Sequence, residues 1–326
     1  MEPTGKVVNS GGCFAARYLA AVWVMVCLCI FCQPVMAASS VGLVLSGDDS
    51  YYRAVAEDIA RYLATAQPGV EVQSRVVDDG PLSAMTDNEL VVTIGTRASA
   101  TVARQYPAVP QLSVMVTRQG WRAMAATSGE LRHKAVIFID QPVERYLLLA
   151  RILVPEGKTF STLLGPVAIT QRDDLVAAAQ RMEITLKHDA ITMRSNPMQV
   201  LSPLFAGTDG FIVFPDQEVL NRTIAHWVLN QAFRKKIPVI GFSRSYGEAG
   251  AAAALFTAED DIAKQSRSWL ETYFDEGGDA LWKEFSPDYF TVILNRTVVR
   301  GLGLPAMEEA EIQRRIAQGQ YRSSSE

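Results

Sequence analysis

Two polar stretches in the second half of the chain each follow an apolar run directly. Phe211-Ile212-Val213-Phe214 leads through Pro215 to Asp216, and Pro238-Val239-Ile240-Gly241-Phe242 leads to Ser243-Arg244-Ser245-Tyr246. A carboxylate, two hydroxyls, a guanidinium and a phenol donate and accept hydrogen bonds and pair with charge, which is the chemistry of holding a solute. The first half carries a comparable set: Ser46, Asp49 and Tyr51 after one apolar run, then Gly95-Thr96, then Arg118 and Trp121. Gly95-Thr96 at a helix start would aim backbone N–H groups at an anion. Arg194 and Arg244 could each hold a carboxylate through a two-pronged bond, and Tyr51 and Tyr246 could stack a ring. Each residue also has a plain structural reading. Asp216 stands at an N-cap position, Gly95-Thr96 can close on itself as a tight turn, and the tyrosines and arginines can be wall and surface residues.

Groups for bond-making chemistry are missing from the pattern. There is no G-x-S-x-G elbow, H-E-x-x-H pair or P-loop, and His133, His188 and His226 share no metal-ligand spacing. All four cysteines (Cys13, Cys27, Cys29 and Cys32) fall in the first 37 residues, so the remainder has no disulfide, thiol nucleophile or cysteine metal site. The expectation is a non-enzyme with no cofactor and no metal. The formal charge of −4 over 326 residues argues against a nucleic-acid binder, which would show a basic patch. The leader itself has a positive start in Lys6 and Arg17, an apolar run from Tyr18 to Phe31, and the small-x-small ending Val35-Met36-Ala37. That is the form of a secretory signal peptide cleaved after Ala37, too short for a span of about 20 apolar residues. The implied location is the periplasm.

The elements that would position the polar residues alternate along the chain. Val41–Ser46, Val70–Val77, Leu90–Ile94, Leu112–Val116 and Ala135–Ile139 read as strands, with a helix after the first whose buried face is Val55, Ile59, Tyr62 and Leu63. Glu57 four residues before Arg61 reads as a surface pair on that helix. Asp140-Gln141-Pro142 breaks the series. A helix over Val143–Val154 follows, then strand, helix and strand over 160–193, then the unit from Asp209 to Phe242. In that unit Asp216 caps a helix with Glu218 in its first turn and Leu220, Ile224, Trp227 and Val228 inward. Thr117–Arg122 reads as a loop. A helix over Glu259–Phe274, a loosening at Gly277-Gly278, a strand over Tyr289–Leu294 and a helix over Met307–Ala317 complete the chain, with 318–326 as a flexible tail. Strands alternating with helices make parallel sheets covered on both faces, here two doubly wound α/β lobes. Ligands of such sheets bind beyond the carboxyl ends of the strands, which is where the polar residues fall.

An ordered series of strings carries a resemblance. It comprises Asp140-Gln141-Pro142-Val143-Glu144-Arg145, Leu153-Val154-Pro155-Glu156, Gly165-Pro166, Phe214-Pro215-Asp216 with Asn221, Ile237 to Phe242, Glu248-Ala249-Gly250-Ala251, Tyr289-Phe290 and Asn295-Arg296. In that order they resemble the ABC transporter substrate-binding proteins of the tryptophan/tyrosine import type, most closely from Ala135 to Leu304. The resemblance implies a type I periplasmic binding protein fold: lobe 1 of 38–140 plus about 257–289, and lobe 2 of 141–256 plus about 290–317. A three-segment hinge joins them near Asp140-Gln141, Ala249–Phe256 and Tyr289–Thr291, and a small solute is closed between the lobes. It implies Asp216 as the contact for a ligand amine and Ser46 and Gly95-Thr96 as handlers of a carboxylate or hydroxyls. With Gly165, the candidate ligand set is Ser46, Asp49, Tyr51, Gly95, Thr96, Arg118, Gly165, Arg194, Asp216, Ser243 and Tyr246. The bulky, basic Thr117–Arg122 segment departs from the family's Gly-rich loop and suits an anionic or larger aromatic solute instead. The implied partner is a membrane ABC permease, or alternatively a sensor protein or kinase, with the chain itself a monomer.

Overall fold

The computed structural model describes residues 39–85, 87–128, 131–192, 194–216, 221–276 and 281–323. The leader and its cleavage point, Glu218, Leu220 and Gly277-Gly278 lie outside the described residues.

The first sheet forms from β1 (Ser40–Leu45), β2 (Glu71–Val76), β3 (Leu90–Ile94), β4 (Gln111–Val116) and β5 (Lys134–Phe138) in the order β2-β1-β3-β4-β5, all parallel. The second forms from β6 (Thr159–Leu164), β7 (Thr185–Ala190), β8 (Gly210–Ile212), β9 (Val239–Gly241) and β10 (Ala253–Phe256) in the corresponding order β7-β6-β8-β9-β10. Each edge gains one late strand. Residues Glu284–Phe285 (β11) add in parallel to β5, and Thr291–Leu294 (β12) adds antiparallel to β10. The expected pair of doubly wound lobes is what the chain forms. In both, the order reverses beside the first strand, so crevices open at the ends of β1 and β3 and of β6 and β8.

Helices cover both faces. In lobe 1 these are α1 (Ser50–Ala66), α2 (Thr96–Gln105) and α3 (Arg118–Ser128). Lobe 2 has α4 (Val143–Leu153), α5 (Arg172–Arg181), α6 (Pro197–Leu204), α7 (Arg222–Arg234) and α8 (Arg244–Ala249). α9 (Glu259–Asp275) returns to lobe 1, while α10 (Arg296–Gly301) and α11 (Glu309–Ser323) end the chain on lobe 2. One core joins β1, β3 and β4 to α1 and α9 through Val55, Ile59, Leu63, Ile262, Trp269 and Leu270. Another joins the lobe-2 sheet to α4, α5 and α11 through Tyr146, Leu149, Leu153, Leu175, Ile312 and Ile316. Each such buried side chain contributes roughly 1.5–3 kcal/mol of transfer free energy.

Four local readings change. Asp58, not Glu57, is the partner of Arg61 (3.7 Å), because three residues of helix bring it closer, and Asp58 also takes Arg267 of α9. α7 begins at Arg222, not after Asp216, since Asn221 Oδ1 accepts Ile224 N–H (3.1 Å) and caps it. With that start, Ile224, Val228, Leu229 and Ala232 face inward, and Trp227 is rotated to the surface, 41% exposed. The last helix runs on to Ser323, beyond the expected end at Ala317.

Three segments carry the chain between the sheets: β5 to α4 through Ile139–Pro142, β10 to α9 through Thr257-Ala258, and β11 to β12 through 286–290. Hydrogen bonds tie them together. Gln141 Nε2 donates to Thr257 Oγ1 (2.7 Å) and to the Tyr289 carbonyl (2.9 Å), and Thr257 Oγ1 donates to the Ile139 carbonyl (2.8 Å). The buried Arg145 guanidinium donates to Gln141 Oε1 and to the carbonyls of Pro287 (2.9 Å) and Asp288 (3.2 Å), and lies over the Phe290 ring. Burial lowers the Arg145 pKa, and nearby Asp288 and Asp261 act against that.

Candidate functional site

At the lobe-1 switch point, Ser46 follows β1 and Gly95 follows β3. Gly95 sits at φ +93, and a Cβ there would lie 2.5 Å from Ser46 Oγ and 2.8 Å from the Tyr52 ring, so only glycine fits. The close approach lets Ser46 Oγ accept Ala98 N–H (2.9 Å) at the start of α2, while the Ser46 carbonyl takes Arg97 Nε (2.9 Å). Ser46 thus serves the helix start that the sequence offered to an anion. Thr96 packs against Gly120 at the start of α3. Asp49 and Tyr51 lie at the exposed start of α1, where Tyr51 Oη is 3.4 Å from Asp49 Oδ2 and its ring tilts on Tyr52.

The Thr117–Arg122 segment is the first turn of α3 and no loop. Met115 at φ +56 shifts the register between β4 and β5, so that Val114 pairs Ile137 but Val116 pairs Phe138. Such a bulge bends the strand end. It delivers Arg118 N–H to Asp140 Oδ2 (2.6 Å), which caps α3 from the crossover. The Arg118 side chain lies over the Phe138 ring and donates to Ser286 Oγ (2.7 Å). Trp121, 4% exposed, donates through Nε1 to Glu284 Oε1 (2.8 Å). Both side chains are thereby spent on holding β11 to β5. Burial pushes the Asp140 carboxyl above its usual range, against the Arg118 N–H and the charges of Arg118 and Arg122.

Lobe 2 repeats the pattern. Asp216 follows β8, is 2% exposed, and accepts Val167 N–H (3.0 Å) and Ala168 N–H (2.9 Å) through Oδ2. It therefore caps the 3-10 turn Ala168–Gln171 that leads into α5, which is where Gly165 at the end of β6 delivers the chain. Ser243 caps α8, its Oγ accepting Tyr246 N–H (3.4 Å). Tyr246 is buried against Phe242, its hydroxyl meets no partner among the described residues, and burial pushes its pKa up to about 12. Ser243 and Tyr246 line a depression of about 700 Å³ between α7 and α8. Arg194 stands apart, exposed in the turn held by Thr192 and Ser195 after β7.

Between the lobes lies a narrow cleft of about 80 Å³. Thr117 and Gln119 line it from lobe 1, Asp140 and Gln141 from the crossover, and Val167, Ala168 and Gln171 from the capped turn of lobe 2. Val143, Tyr146, Leu175, Phe214 and Pro215 form its apolar wall, with Tyr146 edge-on to Phe214 at 5.5 Å. None of the eleven sequence candidates is itself a lining residue, although Arg118, Asp216 and Gly165 are within two positions of one. Thr117 and Gln119 lie in the segment, and Phe214-Pro215 in the run, that the sequence singles out, while Gln171 and Leu175 carry no local signal. Asp140-Gln141 reads in the sequence as hinge alone, yet both residues line the cleft. Among the described residues no group of three or more His, Cys, Asp or Glu side chains could hold a metal, and no helix is long and apolar enough to cross a membrane.

No family model matches the chain, and no curated relative does. Solved structures do. A ligand-free, open substrate binding protein with adhesive properties from Clostridium difficile is 17% identical, with 83% of this chain and 96% of that one covered and a TM-score of 0.69. An ABC domain in complex with L-Trp from Streptococcus pneumonia is 16% identical, covers 85% and 98%, and scores 0.55. A periplasmic ribose ABC transporter protein from Conexibacter woesei is 13% identical, covers 84% and 97%, and scores 0.52. At these identities the likeness is one of fold, and the fold is the two-lobed type I architecture of the substrate-binding proteins of ABC transporters.

Proposed function

We propose, from the two-lobed type I fold that the chain shares with these binding proteins, that it captures a small organic solute between its lobes and presents the closed form to a membrane ABC permease. The observation that carries the reading is the cleft itself. It lies at the carboxyl ends of both sheets, beside the crossovers, and joins a few polar groups to an apolar wall, the usual make-up of a small-molecule site. The hydrogen-bonded crossovers supply a hinge about which two rigid lobes can close. The leader over Met1–Ala37, read as an export signal, would put the protein where such permeases collect their solutes.

In this reading Thr117, Gln119, Asp140 and Gln171 make the polar contacts, and Tyr146, Leu175 and Phe214 take the body of an amino-acid-like or aromatic solute. Asp216 acts from beneath the wall, by holding Val167 and Ala168 in place. The function is capture, with no bond made or broken. Thermal unfolding against a panel of amines, amino acids, aromatic acids, nucleosides and sugars tests it. A true ligand at about 100 times its dissociation constant stabilises by about 2.7 kcal/mol. A panel in which no compound shifts the transition counts against solute capture.

A further inference from the structure

We infer that the cleft selects a solute carrying a positive charge and no carboxylate on an apolar body. This rests on the solute-binding reading above and deepens it.

Three observations carry the inference. First, the two backbone starts that border the cleft, where free N–H groups would hold an anion, already receive protein oxygens. Asp140 takes Arg118 N–H, and Asp216 takes Val167 and Ala168 N–H. Both acceptors are carboxylates, so a ligand carboxylate at either start would meet like charge. Second, among the described residues no lysine or arginine lines the cleft. Arg118 is turned onto Phe138 and Ser286, Arg145 is engaged by Gln141 and the carbonyls of Pro287 and Asp288, and Arg194 stands in an exposed turn elsewhere. Third, among the described residues the one charged side chain lining the cleft is Asp140, and it is half-buried. The charged groups facing it are Arg118 and Arg122 from α3, with the Tyr146 phenol from α4. Burial outweighs both arginines in setting its proton affinity, which leaves a poorly solvated carboxylate that gains from a cation placed against it. Val143, Tyr146, Leu175 and Phe214 then cover an apolar body.

Isothermal titration of the full chain with phenethylamine, phenylalanine and phenylacetate separates the terms, because the three share a ring and differ only in charge. The expected order is amine tightest, zwitterion weaker and acid weakest. Asp140→Asn keeps a side-chain oxygen for Arg118 N–H, since Asn caps as well as Asp, and removes only the charge. It should weaken the amine by at least about tenfold and leave phenylacetate no weaker. Amine affinity of the parent should fall with pH as Asp140 takes up its proton, and that fall should be absent in the Asn variant. Phenylacetate or phenylalanine binding at least as tightly as phenethylamine overturns the inference. So does closure, followed by small-angle scattering, on ribose or another uncharged solute with none on the amine, and this result leaves solute capture standing. If no compound of either set closes the lobes, the functional reading itself fails and the inference falls with it.

Discussion

Replacing Asp216 by alanine asks whether that carboxylate is a buried strut or a ligand contact. One oxygen holds two backbone N–H groups at 2.9 and 3.0 Å, and the side chain is 2% exposed. Alanine leaves both donors without it. An orphaned buried donor costs about 1–3 kcal/mol, and water reaches the half-buried Val167 more readily than the buried Ala168, so the loss should be about 2–4 kcal/mol. At about 2–4 °C per kcal/mol for a chain of this size, the transition should drop by roughly 4–16 °C. Asp216→Asn retains an oxygen for the same two donors and should recover at least half of that loss. The assay is thermal unfolding followed by circular dichroism without ligand. An alanine variant within about 0.5 kcal/mol of the parent would refute the reasoning. So would an Asn variant as unstable as alanine, since the acceptor would then not be what matters.

The Lys134 ammonium, 3% exposed and donating to the Val109 carbonyl (2.5 Å), is held by burial at a pKa of about 8. Its folded value lies below the unfolded value of about 10.4, so the unfolded chain binds more protons between these limits and stability should rise from pH 8 toward pH 10. Urea midpoints should show that rise in the parent and lose it in Lys134→Met; a rise of equal size in both removes Lys134 as its cause. For Asp140 the sign is reversed: a carboxyl raised by burial makes the fold lose stability as pH climbs from about 4 through the folded pKa, and Asp140→Asn should abolish that loss. Gly95→Ala should cost about 2 kcal/mol or more, from a left-handed φ and a Cβ 2.5 Å from Ser46 Oγ, and a neutral effect on melting would show that the turn can relax. Arg145→Met should loosen the crossovers and change the ligand-dependent scattering while both sheets stay folded by circular dichroism; unchanged closure would make Arg145 a packing residue only.

The alternation of strand and helix was legible because the central strands are buried runs, several of them rich in aliphatic residues such as Val41–Leu45 and Leu90–Ile94, between polar turns. Elements without that contrast were not. β11 is two residues long, and the start of α3 reads as a loop because its cap, Asp140, is 22 residues away. The same distance problem governs the site. Asp216 looks like the cap of the next helix, yet it caps a turn 48 residues earlier, and Asn221 takes the local role. Arg118 reads as a ligand cation because its partner, Ser286 just after β11, lies 168 residues on. Residue type announced which side chains are polar and near strand ends. Which of them are consumed by the fold follows only from three-dimensional pairing, and the cleft is lined by what remains.

The most direct test of solute capture is small-angle scattering of the full chain across a titration with the solute that stabilises it most. The account predicts a fall in radius of gyration that saturates at the concentration where binding saturates by calorimetry. Binding with no change in the radius, or no solute that binds at all, would contradict it.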